Sequence, residues 1–314
     1  MALPLLGFGG YIGTGEESTW GTAVTRTAWI TARTRAIKRA IVTLALDHLT
    51  GLTTGPYLRE SIQAREDVTG SFSFYGDYAN KVFAHILKHG IGSVATTGSG
   101  PYTHTFSPAA TLPTGLTIES GSVSEYQVFE GCKVASWTFS CEPGVASDLT
   151  VNVIGQTSGG FTTPNSSPPT VPGHAYPIHH GHAGLCTIAG NTYRLRKFSI
   201  TGDNALARVD ALGLQATDEP HSTGFRTIIA DVELYRTNEV LEGDYTGRTQ
   251  ADCSIAFTDS TRSLTFNLRN AIIIDRTEQL GQVGGQIISL RIQGFYDGSD
   301  NFTAVLVNAN SSAV

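Results

Sequence analysis

The stretch WTFSCEPGVASDLTVNVIGQ, residues 137–156, decides the fold class. Trp137 and Phe139 alternate with Thr138 and Ser140, the period-two signature of a strand with one apolar and one polar face. Pro143-Gly144 supplies a turn. Leu149, Val151 and Val153 then return on the apolar face, so the segment reads as an antiparallel hairpin. A fainter copy follows in KFSITGDNALARVDALGLQ, residues 197–215. There Phe198-Ser199 aligns with Phe139-Ser140, Gly202-Asp203 with the turn, and Gly213 with Gly155. LTIESGSVSEYQ and LTFNLRNAIIID share a similar outline. Two rounds of one hairpin predict a duplicated β protein; chance likeness among amphipathic strands is the competing explanation.

Working outward, YTHTFSP, GLTIESG and YQVFEGCKVASWTFSC are further alternating runs bounded by turn residues, the grammar of an antiparallel sandwich or barrel. In VTGSFSFYG, Phe72 and Phe74 share one face. DYANKVFAHILKHG predicts a helix over 77–89, with Asp77 as N-cap, Gly90 as the stop, and Lys88 and His89 where the dipole favours cations. Its stripe of Tyr78, Val82, Phe83, Ile86 and Leu87 predicts packing on a sheet. Residues 1–25 are glycine-rich and read as an irregular N-terminal arm. Residues 47–67 read as a long hairpin or arm, its tip carrying Leu52, Pro56 and Tyr57. The Gly/Pro/Ser/Thr-rich stretch 161–175 is the linker candidate, dividing a first β domain, 26–160, from a second, 176–314.

The chain of 314 residues is 40% apolar but only 15% charged, with 35 glycines, a balance suited to strands and turns. The 21 basic and 27 acidic side chains leave a net charge of −6, which argues against tight binding of a phosphate backbone. Cys132, Cys141, Cys186 and Cys253 show no CxxC spacing and read as reduced thiols, with a Cys132–Cys141 bridge across a hairpin as the alternative. The first fifteen residues lack the basic region and apolar length of a signal peptide, and AIVTLAL at 40–46 is too short to span a bilayer.

His174, His179, His180, His182 and Cys186 crowd into GHAYPIHHGHAGLC. They are zinc-ligand types, but the glycine-broken segment reads as a polar loop, and no metal is expected. Arg33, Arg35, Lys38 and Arg39 form a basic stretch; the reading preferred over phosphate contact is a subunit-facing or solvated strip paired with acids such as Glu16, Glu17, Glu66 and Asp67. Gly7 and Gly9 open a GxGxxG that Ile12 breaks, and GxSxG, HExxH and Walker A sequences are absent. No catalytic residue and no cofactor are expected.

GTGEESTWGTAV at 13–24 resembles the opening of tail tube proteins (major tail proteins) of long-tailed bacteriophages. The series continues in that order with the long arm, DVTGSFSFYGDY leading into the helix, GPYTHTFSP, LPTGLTIE and FEGCKVASWTFSCEPG. The likeness is strongest over residues 7–160 and looser beyond. The resemblance implies two tail-tube-like β-sandwich or barrel domains, the first with a flanking helix. It implies subunits that join into rings with an inner β-barrel, three duplicated chains being favoured over six single ones. The rings would stack in the virion tail, built in the host cytoplasm. Partners would be the chain itself, tape measure, tail terminator and distal tail proteins, with DNA passing the lumen unbound and no membrane involved. On this reading the lumen-facing sheet is acidic or neutral, and Leu52, Pro56 and Tyr57 contact the adjacent ring. A carbohydrate- or receptor-binding β-sandwich, such as an adhesin or tail-tip component, is the rival expectation; solvent-facing aromatics would mark it.

Overall fold

The computed structural model describes residues 9–46, 60–122, 124–162, 169–235, 240–279 and 286–312. In chain order, the first elements are β1 Tyr11–Glu16, β2 Ala28–Thr31, β3 Thr34–Arg35, β4 Lys38–Leu46, β5 Glu60–Tyr75 and helix α1 Lys81–Ile91. Next come β6 Gly92–Thr97, β7 Tyr102–Pro108, β8 Leu116–Gly121, β9 Tyr126–Cys141, β10 Asp148–Gly155 and β11 Thr157–Ser158. The remainder comprises β12 Ala183–Ile188, β13 Asn191–Asp203, β14 Leu206–Val209, β15 Asp218–Ser222, β16 Thr227–Tyr235, α2 Val240–Thr246, β17 Ala251–Asp259, β18 Arg262–Gln279, β19 Ile287–Gln293 and β20 Phe302–Asn308. The fold is mainly β and sandwich-like. Among the described residues no helix is long and apolar enough to cross a membrane.

The opening hairpin forms as its alternation dictates. Thr138 faces Thr150 and Trp137 faces Val151 across β9 and β10. Pairing then extends both ways into one antiparallel sheet in the order β4-β5-β10-β9-β13-β16-β19-β18. A second layer runs β6-β7-β20-β18-β17-β12-β13, and a smaller one β2-β1-β8-β9-β11. The long strands β9, β13 and β18 each begin in an outer layer and end in the main sheet, so they form the corners. One contiguous core lies between the layers, where Phe139 packs against Phe83, Phe198, Phe257 and Phe266.

Helix α1 closes one flank of that core, and Tyr78, Val82, Phe83, Ile86 and Leu87 are all fully buried, as their spacing requires. Its ends differ from expectation. Asn80, not Asp77, is the N-cap, its Oδ1 accepting from the Val82 amide at 2.8 Å. The Asp77 carboxylate instead accepts from the Ala79 and Tyr176 amides, holding the turn before the helix. Gly90 lies inside the helix because Trp137 packs there. A Cβ at Gly90 would sit 2.5 Å from the indole, and one at Gly202, on the other side, 2.4 Å. Gly92, at φ 148°, is the actual stop.

Residues 1–25 are not simply an arm. Strand β1 is buried between β2 and β8, with Ile12 fully enclosed. Its glycines permit close approach, since a Cβ at Gly13 would lie 2.8 Å from the Trp29 indole nitrogen. Cys132 and Cys141 lie nine residues apart on one strand, about 30 Å at ordinary rise, so no bridge can join them. All four cysteines are buried free thiols. Burial pushes Cys141 up to about 11, with the nearby Glu142 adding to the shift.

Candidate functional site

The main sheet has two unlike faces. One carries Phe72, Phe74, Leu149, Trp137, Phe139, Phe198 and Val232 into the core. The other carries Ser71, Thr150, Thr138, Ser199, Asp231, Ser289 and Thr277, which the register places on one side of the sheet. This polar face holds a hollow of about 520 Å³ lined by β9, β13, β16, β18 and β19. Three of its cations are matched by carboxylates. Arg33 reaches Asp148 at 2.9 Å, Lys197 reaches Glu142 at 2.5 Å, and Arg291 lies 3.9 Å from Asp231. The proximity of Asp148 raises the Arg33 guanidinium, and that of Glu142 raises Lys197, against the opposing effect of burial. Such a face offers no row of uncompensated positive charge to a polyanion.

The sheet is open at both ends. Among the described residues, β4 has β5 as its only neighbour in the sheet, and residues 272–279 of β18 have only β19. Apolar side chains stand in solvent there: Ile41 is 51% exposed, Leu44 53% and Ile62 51% on the β4–β5 hairpin, and Ile274 38% on β18. Long unpaired edges with apolar flanks are templates for another chain.

The four basic residues singled out in the sequence do not make one strip. Arg33 and Lys38 occupy the polar face, Arg33 with its guanidinium 4.8 Å from the Tyr75 ring. Arg35 stands opposite the core residue Phe72, packed over Gly10. Arg39 turns to the same side and binds Glu66 at 2.7 Å. Of the expected acidic partners only Glu66 is used in this way. Its carboxylate is buried and also accepts from Thr157 Oγ1 and the Ser158 amide. Glu17 accepts from Thr117 and the amides of Gly21 and Gly131. Glu16 is taken up by Lys88 and His89 at the end of α1. Burial alone would raise the Glu16 carboxyl, but the hydrogen bonds from His89 and Lys88 outweigh it and hold it at about 2. Leu52, Pro56 and Tyr57 lie outside the described residues.

In the histidine segment His182 packs on Tyr78, and His179 accepts from the Gly181 amide. Cys186 points away into the core beside Cys253. Among the described residues no three His, Cys, Asp or Glu side chains converge as a metal set.

Sequence reading missed the β18 edge, Ile274, Asp275, Arg276 and Thr277. Its signal was present in NAIIIDRTEQ, where an apolar half gives way to a charged half within one strand. There the inward positions leave the apolar core and meet the short helix α2 instead, Arg276 pairing with Glu242.

Among the described residues the main sheet of this mainly β fold has an edge without a second strand neighbour at each end. A profile of phage tail tube proteins matches residues 7–301. The chain belongs to the phage tail tube protein family. Its role is therefore structural, in the tail of a virion, as part of a self-assembling tube. A search of curated proteins returns no match.

Proposed function

We propose that this tail tube family member closes into a ring of three chains, that the rings stack, and that the polar face of the main sheet lines the channel through which DNA leaves. The observation that carries this reading is the strand order. The run β4-β5-β10-β9 is followed by β13-β16-β19-β18, so the two halves present the same four positions twice. In each half the sheet order is first strand, second strand, last strand, penultimate strand. Three such chains supply six four-stranded units, and closure removes both free edges of the main sheet.

On this reading the two β domains, 26–160 and 176–314, are fused side by side through β9 and β13 and share one core. The matched charges of the polar face let a polyanion slide rather than bind. The 47–67 arm, through Leu52, Pro56 and Tyr57, contacts the adjacent ring. The stretch Arg33 to Arg39 borders the neighbouring chain. Catalysis has no place in this role; tape measure, terminator and distal tail proteins would meet the tube at its ends, and assembly would occur in the host cytoplasm.

Negative-stain microscopy of concentrated purified protein should show hollow rings or tubes with threefold averages. Monomers that bind a glycan array would overturn the reading. Deleting residues 51–57 should leave rings and abolish tubes, and normal tubes from that variant would remove the arm from the inter-ring contact.

A further inference from the structure

The junction of β9 with β13 has an unfilled twin in the same chain. Because the strand order repeats, β13 takes the place held by β4 in the first run, and β18 the place held by β9. The match holds residue by residue. In β9 a one-residue bulge at Ala135 separates Val134, opposite Val153, from Ser136, opposite Asn152. In β18 the same bulge falls at Ile274, between Ile273, opposite Ile292, and Asp275, opposite Arg291. Both strand pairs are offset by the same number of residues, so Thr138 answers to Thr277. On the other side, Thr69 lies between Lys38 and Ile154, as Ile229 lies between Thr201 and Gln293. Thr201 therefore answers to Lys38.

Across the filled junction Thr138 faces Thr201, their hydroxyls 3.0 Å apart, and Ser136 faces Asp203. Asn204 then bonds through its amide to the Ala135 carbonyl at the bulge. We propose that β18 of one copy pairs with β4 of the next in this same antiparallel register, placing Thr277 opposite Lys38 and Asp275 opposite Ala40. The proposal rests on the ring reading above and adds to it the edges used and their alignment. Three features support a second copy as the occupant. Among the described residues neither edge has a second strand neighbour, and the two lie at opposite ends of one sheet, so the contact is head-to-tail and can propagate around a ring, which a β4–β4 or β18–β18 contact cannot. Ile41 takes the position of Asn204, bringing its exposed side chain beside the bulged and exposed Ile274. The register also sets Lys38 diagonal to Asp275 on the polar face, where opposite charges attract.

The test uses cysteines at exposed positions, in the full chain, with the native thiols buried. Lys38→Cys with Thr277→Cys, oxidised with copper phenanthroline after assembly, should give a covalent species of three chain masses on a non-reducing gel. Mixing the two single variants should give only dimers, which shows that the bond lies between chains. Lys38→Cys with Asp275→Cys, displaced by one pair along the same face, should stay largely uncrosslinked. Rings or tubes in the microscope whose displaced pair crosslinks, or in which neither pair does, would overturn the register while leaving the ring reading intact. Failure of the unmodified chain to form rings at all would remove both.

Discussion

The seam closed within the chain and the one left open differ in what lies beneath them. Under β9 and β13 sit Trp137 and Phe139, covered by α1, with the indole donating to the Gly90 carbonyl at 3.2 Å. Asn204 donates to the same carbonyl and to that of Val134, so the polar groups at this corner are paired. At the matching positions of β18 stand Arg276 and Glu278, an ion pair that Glu242 of the short helix α2 completes. A seam that never opens can be dry. At the open edge the inward positions hold a charge cluster instead, in which Arg276 is only 11% exposed while Glu278 and Glu242 keep contact with water at 29% and 50%.

The largest blow to this contrast should come from Trp137→Ala. Loss of an enclosed indole costs about 3–5 kcal/mol, read as a fall in the urea midpoint of the unassembled chain. A variant as stable as the parent would show that the inner seam is not held by its core. The next effect is one of pH. His85 is buried with its Nδ1 2.7 Å from Thr14 Oγ1, and burial, opposed by Glu16, pulls its pKa down to about 4. The unfolded chain then binds the proton first. Stability should be full above about pH 6.5 and fall toward pH 4, by at most about 3 kcal/mol. His85→Gln should reduce that dependence, the rest belonging to the buried His89, whose pKa burial also lowers, and an unchanged pH profile would assign it elsewhere. The smallest effect on folding belongs to the open edge. Asp275→Ala, at an exposed edge position, should shift chain stability by no more than about 1 kcal/mol, and a loss comparable to that of Trp137→Ala would erase the distinction between the seams.

Much of this was legible in the sequence. The alternation of Trp137 to Val153 fixed which faces are core, and the stripe on α1 fixed what the helix buries. Strand neighbours were not legible. The segments 137–156 and 197–215 look like copies, yet β9 and β13 are adjacent partners, Ser140 facing Ser199. The topological counterpart of β9 is β18, where Arg276 stands for Trp137 and Glu278 for Phe139, so likeness of side chains pointed to the wrong pair. Alternation reports a face, and faces are shared by all strands of a sheet; register depends on bulges such as Ala135 and Ile274, which leave no compositional mark. Strand β1 was hidden for a related reason, since Gly13 and Gly15 serve close packing while reading as loop.

The tandem strand order also bears on how fast a closed structure can be reached. Two units joined by one backbone meet at an effective concentration far above that of free subunits. Half of the contacts around a ring would then form as each polypeptide folds, leaving only the remaining half to diffusive encounter, and a ring with an odd number of units could not arise.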